Sequence, residues 1–521
     1  ICGGVIFFFN LGGRDLWDPD ETRYAVIARE MRESGNWILP HLNGKVYAEK
    51  PPLFFWLINL FILFTGEDSE FITRLPSAIS GLATVILTFF FGERLFNQKV
   101  GFFSSLILAT CIFFPAISRW VMLDSLLTIF FVLALYYFYR GLEENERQKT
   151  NYLLAGLFMG LGVLVKGPVA YLPIPIFLIF TFFQKNLKKF WCRDLLWSLF
   201  LSLGIVSVWL GPVCIVGGKD YIYQIIIKKL IGTTIEGGKH FHSNPLYFYF
   251  TRFPLEFFPW IVFLPPFFIH GWKEESEKKK GFLFLSVWFI FIFLFFTLSK
   301  GKKDNYLLPL YPASAMMVGV LWDGAIRFIQ RKKEIIIGLV LLMLFFLIGI
   351  LIFLSEIPQK FYPSFIEFRS IGILVFLYLM GGSGLAFIFF IRRKKMASFI
   401  SIVIVFTLFH LHLSYVLPQK LNSQRSIKAF SERIIKRMEP QDEIKTYWFK
   451  SNGLIYYTKQ PYIEEIEDPK RFIEVYHSPR RVFIVIFTKM FEKLKKDTGI
   501  EMNPIDQAKV GHWNYILISN H

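Results

Sequence analysis

Long apolar segments recur along this 521-residue chain, and they constrain its fold more than any other feature. An α-helix needs about 20 mostly apolar residues to cross the hydrocarbon core of a bilayer, and many of these segments come close to that length. Hydrophobic residues make up 54% of the chain and charged residues only 19%. Because this composition excludes an ordinary soluble enzyme, the sequence predicts an α-helical polytopic membrane protein.

Thirteen segments are predicted to span the membrane. They lie near 1–12, 73–96, 100–117, 124–141, 152–165, 168–183, 195–216, 255–272, 281–299, 308–329, 334–354, 368–391 and 397–416. The first is partial, since the sequence begins at Ile1 without a methionine and a truncated span is expected there. The apolar run 51–66 is assigned to an interfacial element instead.

Basic residues concentrate in alternate loops, and this sets the predicted orientation. These loops contain Arg94 with Lys99, RGLEENERQK (140–149), QKNLKKFWCR (184–193), KEESEKKK (273–280), RFIQRKK (327–333) and IRRKK (391–395). By the positive-inside rule they face the cytoplasm. The formal charge of +18 is explained in the same way, by orientation and anionic lipid headgroups, so no nucleic-acid partner is predicted. The first loop, 13–72, and the tail from Pro418 then lie on the outer side.

The composition becomes polar and alternating near residue 418. SQRSIKAFSERIIKRM (423–438) predicts an amphipathic helix, and EIKTYWF (443–449), RRVFIVIF (480–487) and HWNYILIS (512–519) predict strands. Two domains are therefore expected: a transmembrane domain over 1–417 and a small α/β domain on the outer face over 418–521.

The stretch LWDPDETRYAVIAREM (16–31) follows the first apolar run and has the form of a helix start. Asp18 would be the N-cap, Pro19 the first helical residue, and Glu21 the acidic partner of a capping box. This arrangement accounts for all three residues without catalysis. Asp20 is left over, and it is the carboxylate of this stretch that best suits an active site.

Two more predicted outer segments carry charged residues beside apolar runs. Lys50, which follows Glu49 and precedes two prolines, could meet a lipid phosphate as a point charge or simply extend its ammonium to the membrane surface. Asp124 lies at the outer mouth of a predicted span, where an ionisable residue is a functional-site hypothesis. The alternative is that Asp124, or Ser125 beside it, caps the helix.

Further candidates lie in later outer loops. They are His240 and His242 in GKHFHSNPLYFYF, Lys300, Lys302, Lys303 and Tyr306 in SKGKKDNYLLPLYP, and Lys166 in LVKGPVAYLP. The basic residues and the phenol suit a phosphate-bearing, lipid-linked ligand, whereas the two histidines are more typical of hydrogen-bonded structure than of a metal site. The Gly-Pro pair after Lys166 explains a turn without any function. No phosphate loop or dinucleotide fingerprint occurs, so no nucleotide cofactor is predicted and a glycosyl donor would arrive on a lipid.

These motifs resemble a known family over about the first 320 residues. WDPDETRYAVIAREM, VYAEKPPLFFWL, VMLDSLLT, LVKGP, HSNPLYFYF and KGKKDNYLLPLYP are similar to segments of the bacterial aminoarabinose transferases of lipid A. Those enzymes belong to the protein O-mannosyltransferase superfamily of GT-C membrane glycosyltransferases. The resemblance implies an inner-membrane enzyme that takes a sugar from a polyprenyl phosphate carrier at the periplasmic face. It would pass the sugar, with inversion, to lipid A or to another glycan or protein.

The resemblance also implies roles for individual residues. Asp20 and Asp124 would be catalytic, with Glu21 and Arg23 in support; Lys50, Tyr306 and Lys302 would bind the donor phosphate; Glu49 and His242 would hold a structural divalent metal such as zinc. The region KGKKDNY is more basic than the family pattern, so the choice among Lys300, Lys302 and Lys303 stays open. A transporter or flippase of lipid-linked sugars is the alternative, since many spans with charged outer residues could line a path.

Overall fold

A computed structural model describes residues 1–218, 223, 244–270, 276–327, 332–361 and 363–521. The described chain divides into two compact units. The first contains Ile1–Phe9 and Ser77–Leu413, and the second contains Asn10–Pro76 and Ser414–His521.

The first unit is built from helices. They are Cys2–Phe8, Glu70–Leu95 from Ser77 onward, Gln98–Thr110, Phe113–Ser118, Leu123–Glu143, Gln148–Lys166, Pro173–Phe183, Leu187–Phe190, Arg193–Val216, Phe248–Glu256, Pro265–His270, Ser276–Leu298, Tyr311–Arg327, Lys332–Leu354, Ile357–Phe361, Arg369–Ile391 and Lys395–Arg425 up to Leu413. Short 3-10 helices lie at Asn145–Arg147, Pro168–Tyr171, Trp260–Phe263, Asp304–Leu310 and Pro363–Phe368.

Seven helices within the described ranges are long and apolar enough to cross a membrane. The count rises to eight if the pair Phe248–Glu256 and Trp260–Ile269, bent by 103°, forms one broken span. Every segment predicted to span the membrane contains a helix, but several of these helices are too short or too polar to meet this criterion. The polytopic helical fold is thus confirmed, and the number thirteen stays a prediction.

Close helix packing sets the geometry of the first unit around Asp124. Helices Leu123–Glu143 and Gln148–Lys166 are joined by a short connection, so they run antiparallel. A Cβ at Gly141 would lie only 2.2 Å from a ring carbon of Tyr152, and one at Gly156 would lie 2.2 Å from the carbonyl oxygen of Ser198. Small residues let membrane helices approach this closely. The antiparallel pairing brings the start of the first helix and the end of the second to the same side of the unit.

The second unit combines helices with a five-stranded sheet. Its helices are Asp20–Ser34, Leu53–Thr65, Glu70–Leu95 up to Pro76, Lys395–Arg425 from Ser414 onward, Lys428–Ile435, Asn452–Thr458, Pro469–Tyr476 and Thr488–Thr498. A small hairpin pairs β1 (His41–Leu42) with β2 (Lys45–Val46). The larger sheet contains β3 (Glu443–Tyr447), β4 (Glu464–Ile466), β5 (Val482–Phe487), β6 (Asp506–Val510) and β7 (Trp513–Ser519) in the order β4-β3-β5-β7-β6.

The sheet is parallel on one side and antiparallel on the other. β3 pairs in parallel with β4 and β5, whereas β7 pairs antiparallel with β5 and β6. β5 is the central strand, and its sequence VFIVIF is almost wholly buried, as expected for a strand covered on both faces. The three strands predicted from sequence lie within one or two residues of β3, β5 and β7.

The predicted amphipathic helix over 423–438 is wrong in its bounds. Helix Lys395–Arg425 continues past Pro418, and a separate helix covers Lys428–Ile435. The break falls at Ser426, whose hydroxyl oxygen accepts a hydrogen bond of 3.1 Å from the backbone N–H of Lys428. Serine favours such local bonds to the backbone over a continuous helix, which accounts for the interruption.

Candidate functional site

The acidic motif of the second unit begins a helix one residue later than predicted. The helix starts at Asp20, Pro19 occupies the N-cap position, and no side chain caps the helix. Asp18 instead accepts hydrogen bonds from the hydroxyl of Thr22 and, at 3.0 Å, from the backbone N–H of Gly453. The predicted capping box is therefore wrong, because the Asp18 carboxylate is engaged by a neighbouring turn and by a distant segment.

Glu21 is the centre of a buried ion-pair network. Its carboxylate lies 2.6 Å from the guanidinium of Arg14 and 2.9 Å from Nε of Arg74, and the side chains of Glu21 and Arg74 are wholly buried. It also accepts a hydrogen bond from the backbone N–H of Trp17. Burial alone would raise the pKa of Glu21, but Arg14 and Arg74 outweigh it and lower that pKa to about 2. The carboxylate stays ionised, and both of its oxygens are held by these partners.

Arg74 shapes the loop that precedes the motif. Its guanidinium donates hydrogen bonds to the carbonyl oxygens of Leu11, Arg14 and Asp15 in addition to Glu21. The loop is thereby fixed directly ahead of Asp20. This arginine is not among the residues predicted from the sequence, although an arginine within the apolar run FITRLP is a signal, since a buried guanidinium requires partners.

Asp20 and Arg23 form an ion pair one helical turn apart, and both side chains are partly buried. Burial would lower the pKa of Arg23, but the nearby acidic groups, Tyr47, Tyr24, Asp20 and Glu49, outweigh it and raise that pKa. The guanidinium is paired with Asp20, and the charge of Glu49 adds to the rise in its pKa. Lys50, the next residue, is partly buried just ahead of helix Leu53–Thr65.

The second candidate carboxylate lies in the first unit, where three segments meet. Asp124 is in the first turn of helix Leu123–Glu143 and is only 3% exposed. It forms an ion pair with Lys166, the last residue of helix Gln148–Lys166. Asn305 donates a hydrogen bond of 2.7 Å to its other oxygen. The proposed helix-cap alternative is wrong, because the N-cap is Met122 and the hydroxyl of Ser125 bonds that of Ser118.

Tyr306 belongs to the same cluster. The ammonium of Lys166 lies 4.6 Å from the centroid of the Tyr306 ring, a cation–π distance. Lys166 therefore contacts both the carboxylate of Asp124 and the face of Tyr306. Lys166 was a candidate at a predicted turn and Asn305 was not a candidate, because neither residue signals its partner through spacing along the chain.

Lys302 is buried, and its ammonium bonds to backbone carbonyl groups. Its side chain is 4% exposed, and its ammonium donates hydrogen bonds to the carbonyl oxygens of Ser299, at 2.6 Å, and Asn244, at 3.1 Å. Asn244 in turn donates from its amide to the carbonyl oxygen of Lys302. These contacts fasten the segment that leads into Tyr306.

The metal prediction concerns Glu49 and His242. Glu49 is exposed, and its carboxylate lies 3.4 Å from the hydroxyl of Tyr47. His242, together with His240, lies outside the described residues. Within the described ranges, no three His, Cys, Asp or Glu side chains come together as metal ligands would.

Comparison with known proteins finds similarity to membrane sugar transferases. Residues 49–211 match the family described as dolichyl-phosphate-mannose-protein mannosyltransferase. A relative from Photorhabdus laumondii, named undecaprenyl phosphate-alpha-4-amino-4-deoxy-L-arabinose arabinosyl transferase, is 28% identical over 360 residues. That match covers 68% of this chain and 64% of the relative, so the chain spans less than two thirds of the relative's length.

The fold is shared with a solved structure over nearly its whole length. The crystal structure of ArnT from Cupriavidus metallidurans in the apo state superposes with a TM-score of 0.82 at 20% identity, covering 99% of this chain and 96% of that one. The same protein bound to undecaprenyl phosphate gives a TM-score of 0.81 at 19% identity, covering 100% of this chain and 96% of that one. The chain is thus similar to these arabinosyl transferases in sequence, and it has the fold of the Cupriavidus protein.

Proposed function

We propose that this chain is an inner-membrane glycosyltransferase. It moves 4-amino-4-deoxy-L-arabinose, or a related sugar, from undecaprenyl phosphate to a periplasmic acceptor such as lipid A. The observation that carries the proposal is the cluster of Asp124, Lys166, Asn305 and Tyr306, which gathers charged and aromatic side chains at the ends of apolar helices. Ionisable groups beside apolar helices are costly to bury, and they therefore indicate a site for a ligand or a reaction. The name of the Photorhabdus relative and the lipid bound to the Cupriavidus protein support the choice of donor.

The reaction is a displacement at the anomeric carbon of the sugar. The bond from this carbon to the carrier phosphate oxygen breaks, and its electron pair leaves with undecaprenyl phosphate. A new bond forms to an acceptor oxygen on the opposite face, so the configuration inverts. Lys50 and Tyr306 bind the leaving phosphate, whose charge the ammonium stabilises. Lys302 would have to release two carbonyl oxygens before reaching a phosphate, so we assign it to holding the segment.

Asp20 acts on the acceptor. An acceptor phosphate is already ionised, and Asp20 then positions it through Arg23, whose guanidinium pairs with the Asp20 carboxylate. An acceptor hydroxyl would need Asp20 as a general base. Asp124 forms an ion pair with Lys166, and we assign it to the positive charge that develops on the sugar.

A structural zinc ion at Glu49 and His242 remains part of the proposal. The ion would fix the loop that carries Lys50, and it would take no part in any reaction step. Metal analysis of the purified protein by mass spectrometry tests it directly. One equivalent of zinc in the native protein, lost in His242→Ala, is the expected result.

The proposed arrangement places the active site and the tail 418–521 on the periplasmic side, with 1–417 as the transmembrane domain. Accessibility labelling of single cysteines tests this orientation. A cysteine at exposed Lys509 should react with an impermeant maleimide in intact spheroplasts, whereas one at exposed Lys394, in a predicted cytoplasmic loop, should not.

A flippase of lipid-linked sugars is the competing function. Transporters of this type pair broken helices in matching halves of the chain. The described residues contain one bent pair, Phe248–Glu256 with Trp260–Ile269, which favours the transferase. Purified protein in vesicles with a polyprenyl-phosphate sugar decides between the two. Cleavage of the sugar–phosphate bond supports the transferase, and movement across the bilayer without cleavage supports the flippase.

A further inference from the structure

Glu256 is a buried acidic residue that the proposed mechanism does not use. It ends helix Phe248–Glu256, directly before the 103° bend, and it is 8% exposed. Its carboxylate accepts a hydrogen bond of 2.8 Å from the hydroxyl of Tyr311. Because burying an ionisable group among apolar side chains is expensive, the position calls for a specific role.

Tyr311 is fixed by its surroundings and leaves its hydroxyl one clear partner. The side chain is wholly buried, with ring centroids 5.6 Å from Phe253, 5.9 Å from Phe257 and 6.0 Å from Phe113. Among the residues that the structure describes, its hydroxyl bonds to Glu256. Tyr311 begins helix Tyr311–Arg327 and directly follows the 3-10 helix Asp304–Leu310, which contains Asn305 and Tyr306.

The segment 302–311 is held by hydrogen bonds along its length. At its start, the hydroxyl of Tyr249 donates to the carbonyl oxygen of Lys303 at 3.0 Å. Towards its end, the indole N–H of Trp288 donates to the carbonyl oxygen of Pro309 at 3.0 Å. At the end of the segment, Tyr311 donates its hydrogen bond to Glu256. Two of these anchors, Tyr249 and Glu256, belong to the same helix, so this helix sets the position of both ends of the segment.

We propose that Glu256 and Tyr311 are a positioning pair, which holds the segment 302–311 so that Asn305 and Tyr306 meet Asp124 and Lys166. The pair acts through Asn305, whose amide contacts Asp124 at 2.7 Å, and touches no reacting group itself. Its effect on catalysis rests on the proposed function. Its effect on the segment does not, and the two can be measured separately.

Hydrogen–deuterium exchange of the backbone amides of 302–311 measures the structural effect. Tyr311→Phe should raise exchange in this segment about tenfold, because one anchor is lost while the ring packing stays. Thr110→Val is the matched control. It removes another buried hydrogen bond of the first unit, donated by the indole of Trp260, and the hydroxyl of Thr110 bonds only to residues outside 302–311 among those that the structure describes. Unchanged exchange in Tyr311→Phe, or an equal rise in Thr110→Val, overturns the proposal.

Transfer kinetics measure the catalytic effect. Tyr311→Phe and Glu256→Leu should lower kcat about tenfold with little change in KM, whereas Glu256→Gln, which keeps an acceptor oxygen, should restore most of kcat. Combining Tyr311→Phe with Asn305→Ala should cost no more than Asn305→Ala alone, because both act on one contact. Strictly additive losses, or no rescue by Glu256→Gln, overturn the positioning role. If Tyr311→Phe does not fold, the kinetics of Glu256→Leu and Glu256→Gln test the positioning role. An inactive wild-type protein refutes the proposed function. The exchange result still shows whether Glu256 and Tyr311 hold the segment 302–311.

Discussion

Nε of Arg74 lies 2.9 Å from Oε1 of Glu21, and neither side chain is exposed to solvent. This pair connects the start of helix Glu70–Leu95 to the helix that begins with Asp20, within the second unit. Glu21 is therefore a structural carboxylate, and its neighbour Asp20 is the one whose side chain is partly accessible. Adjacent acidic residues in one motif thus have different physical roles.

Removing Arg74 should destabilise the second unit. Arg74→Met leaves Glu21 with one cationic partner and three loop carbonyls without their donor, and breaking a buried pair in this way costs about 3–5 kcal/mol. Thermal unfolding in detergent measures the loss. Arg32→Met, which removes a partly exposed partner of Asp68, is the control and should cost less than about 1 kcal/mol. Equal melting temperatures for Arg74→Met and wild type would contradict the buried network.

Stability should fall in acid because of Glu21. Its pKa is lowered from an ordinary 4.5 to about 2 in the folded protein. A carboxyl with a lowered pKa stabilises the fold above the unfolded value, and this contribution, ~3 kcal/mol, is lost as pH falls from about 4.5 to about 2.

The pH test compares wild type with Glu21→Gln. The variant should start less stable at neutral pH and lose less on acidification. Glu33→Gln, an exposed change on the same helix, should follow the wild-type profile. Parallel profiles for wild type and Glu21→Gln would show that the pKa of Glu21 is not lowered by folding.

The ion pair between Asp124 and Lys166 should be coupled in function. Asp124→Asn and Lys166→Met should each reduce transfer by about 100-fold, and the double variant should be no worse than the poorer single one. Glu143→Gln serves as the control, because Glu143 pairs with Arg94 at the opposite end of the same helix, 2.9 Å away. That change should alter transfer less than about twofold. Additive losses of transfer in the double variant would show that Asp124 and Lys166 act independently, contrary to this prediction.

Replacing Lys302 and replacing Lys303 should have different effects on the stability of the protein. Lys302→Met should destabilise the protein, since the ammonium satisfies two carbonyl oxygens from a buried position. Lys303→Met removes a partly exposed side chain and should leave the melting temperature within about 1 °C. A Lys302→Met protein with wild-type stability and a donor KM raised about tenfold would return Lys302 to direct phosphate binding.

Much of the fold could be predicted from the sequence because apolar length and loop charge are local signals. The helices lie where the apolar runs are, and β3, β5 and β7 lie where alternating or continuous apolar residues indicate strands. The bend between Phe248–Glu256 and Trp260–Ile269 and the edge strands β4 and β6 were not predicted. Their short lengths give little periodicity, and tertiary contacts decide them.

The candidate site was predicted only in part. Asp124 was identified, because a carboxylate beside an apolar helix is conspicuous in sequence. Lys166 was a candidate in its own right, but its contact with Asp124 was not predicted and Asn305 was missed, because these residues lie 42 and 181 residues away along the chain. The helix cap predicted for Asp18 failed for a similar reason: its partner Gly453 is 435 residues distant. Local patterns single out conspicuous charged residues, but they give little information about long-range partners.

Transfer by the purified protein, reconstituted with undecaprenyl-phosphate aminoarabinose and lipid A, tests the central claim most directly. Mass spectrometry of lipid A should show the added pentose with the wild-type protein and none above background with Asp20→Asn, while both proteins have the same melting temperature and elution volume. Full transfer by folded Asp20→Asn would contradict the role given to Asp20. Absence of transfer by the wild type with every lipid-linked sugar tested would contradict the proposed glycosyltransferase.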